Sequence, residues 1–166
     1  MDVPEGPIPM TGEAFERFVR EHERMVRALA RSYARDEDAA EDVVQETFWR
    51  AWRAIGTLED VSRAKAWVAG IARHAALDHL RARKRRPAEE LNVDVAAPEK
   101  KDEGDLVERV MRAVDALRAD YRQIMILRYV EKLSYEGIAR ALGMTPGAVG
   151  EKLNRVRKMV AERFAP

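Results

Sequence analysis

Apolar residues in this chain return every three or four positions in segment after segment, the period that stacks side chains along one face of an α-helix. Phe15, Phe18, His22, Met25, Leu29 and Tyr33 define one such stripe and predict a helix from about Gly12 to Arg35. Asp36 is placed to accept a hydrogen bond from free backbone amides as an N-cap, with further acids in the first turn where the helix dipole favours them. The helix it opens runs to about Ile55, with Val44, Phe48, Ala51, Trp52 and Ile55 as its apolar members. Gly56 to Val61 reads as a short loop. From Ser62 the helical pattern resumes, with Trp67, Ile71, Ala75 and Leu80 inward, until Pro87 ends it, because the residue before a proline avoids the helical region. These three helices form a first domain.

The pattern lapses once. Ala88 to Gly104 is acidic, holds Pro98 and Gly104 and shows no periodicity, so it cannot bury enough apolar surface to offset the entropy of ordering. It is expected to be a flexible linker between two small domains. Helical periodicity restarts at Asp105 with Val107, Val110, Val114 and Leu117 inward, and a further run places Ile124, Leu127 and Val130 three apart.

Ser134 to Val149 then reads as helix, glycine turn, helix. Ser134 caps the first helix, whose inner face is Ile138, Ala139 and Leu142. Gly143 permits a left-handed turn, and Val149, Leu153, Val156 and Val160 face back from the second helix. This is a helix-turn-helix, which lays its second helix in the DNA major groove, so that short polar side chains reach base edges while Lys152, Arg155, Arg157 and Lys158 hold phosphates. A plain helical hairpin with a solvated basic face is the competing reading. The expected architecture is all-α: residues 1–11 a flexible lead, 12–87 a three-to-four-helix domain, 88–104 the linker and 105–166 the helix-turn-helix domain.

Composition narrows the function. Hydrophobic residues make up 46% of the 166 and charged residues 36%, which supports a packed core under a charged surface. The absence of cysteine excludes disulfides and thiolate metal sites. No apolar stretch approaches the ~20 residues that cross a bilayer, and the acidic segment Met1 to Glu5 lacks the plan of a signal peptide, so the cytoplasm is expected and membrane insertion is not. His22, His74 and His79 do not follow a zinc-ligand spacing, and there is no glycine-rich phosphate loop. No catalytic constellation, cofactor, metal or small-molecule substrate is therefore expected.

The formal net charge is only +1, but the charges are segregated. Acids gather in Asp36, Glu37, Asp38, Glu41, Asp42 and Glu46; bases gather in Arg81, Arg83, Lys84, Arg85 and Arg86 and again from Lys152 to Arg163. Such a chain can present different faces to different partners. Capping explains Asp36 to Asp38 but not Asp42, Gln45 and Glu46. The basic run before Pro87 can equally be a helix end that suits the dipole.

Three segments in this order resemble the extracytoplasmic-function group of the sigma-70 family. Asp38-Ala-Ala-Glu-Asp-Val-Val-Gln-Glu-Thr-Phe48 is similar to the family's region 2.2, and Trp67-Val-Ala-Gly-Ile-Ala-Arg-His-Ala-Ala-Leu-Asp-His-Leu-Arg81 to regions 2.3 and 2.4. Leu133-Ser-Tyr-Glu-Gly-Ile-Ala and Ala148-Val-Gly-Glu-Lys-Leu-Asn-Arg-Val-Arg157 are similar to region 4.2. The resemblance covers roughly Phe15 to Phe164 and implies a factor that directs RNA polymerase to promoters. It implies that Asp38, Asp42, Gln45, Glu46 and Trp49 bind the beta-prime clamp helices of the polymerase core, with the beta flap as a second contact. It implies that Leu58, Arg63, Lys65, Trp67, Arg73, His74, Asp78, Arg81 and Lys84 capture the minus-10 element as single-stranded DNA. Arg128, Ser134, Tyr135, Gly147, Glu151, Lys152, Asn154, Arg155 and Lys158 would bind the minus-35 duplex. An anti-sigma factor is implied as a further partner.

Unpaired bases can be held in a pocket, whereas duplex is read from its groove. With Trp67 the one aromatic of the melting helix, few bases can be stacked, and a strict promoter preference is expected. His74 stands where the family usually has Asn. Gly137 replaces a frequent Glu, and Gly150 and Glu151 replace a frequent basic residue and Ser. An atypical minus-35 preference follows, because a carboxylate repels phosphate but can accept from cytosine N4. A regulator that binds duplex DNA without polymerase would need only Ser134 to Arg157 and would leave the acidic region 2.2 motif unexplained.

Overall fold

The structure, a computed structural model, describes residues 11–34, 36–85 and 112–163. The expected linker at 88–104, the lead at 1–10 and the inward positions Val107 and Val110 lie outside those residues.

Helix α1 (Gly12–Tyr33) is opened by Thr11, whose hydroxyl accepts from the Ala14 amide at 3.3 Å. Asp36 caps α2 (Glu37–Ala54) by accepting from the Ala39 amide at 2.7 Å, as its position predicts. The expected loop contains two short 3-10 turns, Ile55–Thr57 and Val61–Arg63, before α3 (Ala64–Lys84). The three helices pack on one another around Val26, Leu29, Val43 and Val68.

The inner face of α3 differs from expectation. Its buried residues are Ala64, Ala66, Val68, Ala69, Ala72, Ala75 and Ala76, while Trp67, Ile71 and Leu80 are half-buried at the margins. The reason is that α3 serves three neighbours, α1, α2 and a helix of the second half. Small side chains let several backbones approach, and the large ones are displaced to the edges. Trp52 likewise lies outside the core, 42% exposed, with its ring edge-on to Phe15 at 4.9 Å.

The second half contains a helical turn at 112–115, α4 (Ala119–Met125) running into a π-turn (Ile126–Val130), α5 (Tyr135–Leu142) and α6 (Pro146–Arg163). The π-turn rotates the apolar register, so Ile124 and Leu127 are buried but Val130 is 61% exposed instead of inward. The chain leaves this turn through Lys132 in the left-handed region, and the Leu133 amide donates back to the Leu127 carbonyl at 3.0 Å. Ser134 caps α5 through the Gly137 amide at 3.0 Å, and Gly143 takes φ 62°, both as the sequence predicts.

The two halves are packed together in this arrangement. Ile124, Leu127, Ile138, Ala141, Leu142, Val149 and Leu153 belong to the same apolar cluster as the α1–α3 core. Polar groups fix the join. The Tyr33 hydroxyl donates to Gln123 Oε1 at 2.8 Å, Arg122 donates to the Ser32 carbonyl at 2.6 Å, and Lys65 pairs with Glu131 at 3.2 Å. Backbones also come close at the join: a Cβ on Gly70 of α3 would lie 3.4 Å from the Ala141 carbonyl oxygen of α5.

Candidate functional site

Three surfaces carry the residues singled out above. On α2, Asp38, Asp42, Gln45 and Trp49 fall at helical spacings of four, three and four, and all are exposed, Trp49 by 58%. Beside them a shallow groove of about 570 Å³ is lined by Asp42, Gln45, Glu46, Trp49 and Arg50 of α2 and by Asp78 and His79 of α3. Arg50 ties the walls together, bonding Glu46 at 2.6 Å and Asp78 at 2.8 Å. The Arg50 hydrogen bond holds the Asp78 carboxyl below its usual range, with Arg81 adding to the effect. Asp78 therefore belongs to this groove, together with Arg81, which bonds it at 3.1 Å.

The second surface is a cavity of about 370 Å³ between the loop and α3, lined by Thr57, Leu58, Glu59, Asp60 and Arg63 on one side and Trp67, Gly70, Ile71 and His74 on the other. Asp60 shapes the loop by accepting from the Ser62 amide at 2.9 Å and its hydroxyl at 2.6 Å, and it pairs with Arg63 at 3.2 Å. Those Ser62 bonds lower the Asp60 pKa, and charge from Arg63 and Arg140 lowers it further. Leu58 is 5% exposed and lies in the core, so it builds the wall from behind. Arg81 and Lys84 sit at the far end of α3 and do not line the cavity.

Arg140 of α5 completes the rim, a residue no local pattern singled out. Other members of the expected minus-10 set are also engaged by the second half. Lys65 is paired with Glu131, and the Arg73 guanidinium lies beside Gly143 at the α5–α6 turn and close to Tyr33.

The third surface is α6 with its supports. Thr145 caps the helix through the Ala148 amide at 3.2 Å. Val149, Leu153 and Val156 are fully buried, which turns Gly147, Glu151, Asn154 and Lys158 outward in a single stripe. Lys152 is not on that stripe. It lies half-buried on one flank, paired with Asp120 at 3.0 Å with its ammonium 5.1 Å from the Tyr121 ring, and Arg155 reaches the Tyr121 hydroxyl at 3.4 Å.

On the other flank, Arg128 donates to the Leu133 carbonyl at 2.9 Å and lies 5.1 Å over the Tyr135 ring. Ser134, by contrast, is committed to its capping bond. Gly150 faces Tyr135, whose ring would be 3.5 Å from a Cβ there. Asp120, Tyr121 and Tyr129 were not legible as site residues, since each acts from a different element. No group of residues able to hold a metal occurs among those described, and no described helix is long and apolar enough to cross a membrane.

Comparison with known proteins identifies the architecture. Residues 18–86 match the model of sigma-70 region 2, and residues 107–160 that of sigma-70 region 4. The chain is 31% identical to the ECF RNA polymerase sigma-E factor of Haemophilus influenzae, over 93% of this chain and 89% of that protein. It is 32% identical to the probable RNA polymerase sigma factor RfaY of Xanthomonas campestris pv. campestris, over 89% of this chain, which spans 40% of that longer protein. Among solved structures it is similar to the sigma factor RpoE in complex with the anti-sigma factor NepR from Bartonella quintana. That match has a TM-score of 0.70 and 27% identity, and covers 92% of this chain and 97% of the other. The chain belongs to the sigma-70 family, in its extracytoplasmic-function group, whose members are RNA polymerase sigma factors.

Proposed function

We propose that the chain docks on polymerase core through the α2 face, takes an unpaired minus-10 base into the loop–α3 cavity and reads the minus-35 duplex with the outward stripe of α6. The observation that carries this reading is Trp49, exposed by 58% and set among Asp42, Gln45 and Glu46. A regulator acting on duplex alone has no use for such a face. A buried aromatic anchor commonly supplies about 2 kcal/mol or more of binding, so Trp49→Ala should weaken core binding about thirtyfold. Titration of core polymerase with the labelled chain measures this, and equal affinities would refute the docking face.

In the cavity, Trp67 supplies an apolar wall and His74 a polar one, suited to stacking and hydrogen bonding of an extruded base. On α6, Asn154 can pair with adenine and Glu151 can accept from cytosine, with Arg155 and Lys158 on phosphates. In the closed arrangement Arg140 sits at the cavity rim and Lys65 and Arg73 are taken up by the second half. Promoter engagement therefore requires α5 to leave α3. Like the RpoE relative, solved with its anti-sigma factor, the chain would be controlled by a partner that stabilises its inactive form, in the cytoplasm where polymerase works.

A further inference from the structure

Helix α4 and the π-turn lie antiparallel along α1. At one end of this seam the Tyr33 hydroxyl donates to Gln123 Oε1 at 2.8 Å, and at the other Glu131, which follows the π-turn, faces His22. His22 and Gln123 are both buried, 3% and 1% exposed. Among the described residues, the two buried side-chain atoms without a hydrogen-bond partner are His22 Nδ1 and Gln123 Nε2. Unmet hydrogen-bonding capacity is thus concentrated where the two halves meet. An unpaired polar group costs free energy only while it is kept from water, so the penalty falls on the closed arrangement and opening relieves it.

Of the two groups, only His22 can take up a proton near neutral pH. Its ring lies edge-on to Phe18 at 4.6 Å, and the charged groups facing it are Glu21 from its own helix, Lys65 from α3 and Glu131 from the second half. Burial is the largest influence and disfavours the charged ring; Glu21 pulls the other way, Lys65 sides with burial and Glu131 with Glu21. Lys65 and Glu131 are themselves paired across the seam at 3.2 Å, so the carboxylate of the second half that could receive an imidazolium already holds an ammonium.

We propose that His22 is a proton-sensing latch: neutral, it lets the second half close over α1 beside the Lys65–Glu131 pair, and protonated, it parts the halves and frees the promoter-binding surfaces. The inference rests on the proposed reading that promoter engagement requires α5 to leave α3, and it adds what triggers the parting. The sign follows from burial. Opening withdraws Glu131 and gives the ring access to water, so the open form takes up the proton first as pH falls. The ratio of open to closed chains is constant above about pH 6.5, the ordinary histidine value, and rises below it by at most about tenfold per pH unit until the closed form titrates as well.

The test follows the full chain from about pH 7.5 to about pH 5.5, a range that spans the ordinary histidine titration, by small-angle scattering and by the imidazole NMR signals of its histidines. The radius of gyration should grow on acidification in wild type and stay constant in His22→Gln, which keeps a polar side chain and cannot be protonated. Equal growth in the two chains overturns the latch.

A reciprocal measurement leaves His22 in place, so it does not depend on a buried variant folding. Gly70→Leu sets a branched side chain against the Ala141 backbone and should open the join. Linkage then requires the His22 titration to move up toward that of an exposed histidine. A Gly70→Leu chain whose radius of gyration has grown while His22 titrates as in wild type overturns the latch. In transcription with core polymerase at limiting chain, wild type should gain severalfold over His22→Gln on acidification, a comparison that cancels the pH dependence of the polymerase. Scattering and NMR as expected, with that ratio unmoved by pH, would support the latch and refute the reading that promoter engagement requires opening.

Discussion

His22 is 3% exposed on α1, with its Nδ1 lacking a hydrogen-bond partner and its ring edge-on to Phe18 at 4.6 Å. Burial lowers its pKa from the ordinary 6.5, against the pull of Glu21, with Lys65 and Glu131 as its other charged neighbours. The folded state thus prefers neutral imidazole, and the unfolded chain takes up its proton first as pH falls. Stability is unaffected above about pH 6.5 and drops below it, until the folded-state pKa is reached, by at most about 1.4 kcal/mol per pH unit for one proton. His22→Phe should flatten that part of the melting-temperature profile between pH 7 and pH 5; parallel profiles would exclude His22 as the cause. At this scale sequence was informative wherever a rule is local. Asp36, Ser134 and Gly143 perform the capping and turning roles their chemistry dictates. Arg140 and Asp120 were illegible because their partners, Asp60 and Lys152, lie many residues away and on other elements.

The elements themselves were legible as helices because their apolar period is strong, but the faces of α3 were not. A helix with one neighbour shows one stripe, whereas α3 is packed by three and is lined with alanine, which periodicity weighs too lightly to see. Gly70 of α3 faces the Ala141 backbone of α5. An alanine at Gly70 meets only ordinary van der Waals contact and gains about 1 kcal/mol of helix propensity, so Gly70→Ala should melt at or above the wild-type temperature. Gly70→Leu sets a branched side chain against the Ala141 backbone and should drive α5 from α3. Small-angle scattering should then report a larger radius of gyration than for Gly70→Ala, and identical curves would show that this contact does not hold the halves together. The π-turn at Ile126–Val130 is a second element that periodicity misreads, since an apolar residue every third position suggests continued helix where the chain in fact widens and exposes Val130.

At the scale of the whole molecule, family resemblance and residue patterns agree on two helical units, and the arrangement of those units is what only the structure adds. Its closed form turns two of the expected minus-10 residues, Lys65 and Arg73, toward the second half, so the proposed promoter engagement depends on opening. That dependence can be locked. The chain has no cysteine of its own, so a cysteine pair introduced where Gly70 of α3 meets Ala141 of α5 carries the only thiols present. The double variant Gly70→Cys, Ala141→Cys should be silent when oxidised and recover on reduction. Activity in the oxidised form would mean that the halves need not part.

The most direct test of the central claim is in vitro transcription with purified core polymerase on a library of promoter sequences, with and without the chain. Start sites should appear only when the chain is present, each preceded by two spaced elements, with a strict minus-10 and a minus-35 preference set by Glu151 and Asn154. Binding of duplex by the chain without any new transcripts would contradict that claim, and would return the molecule to the class of regulators that act without docking on polymerase.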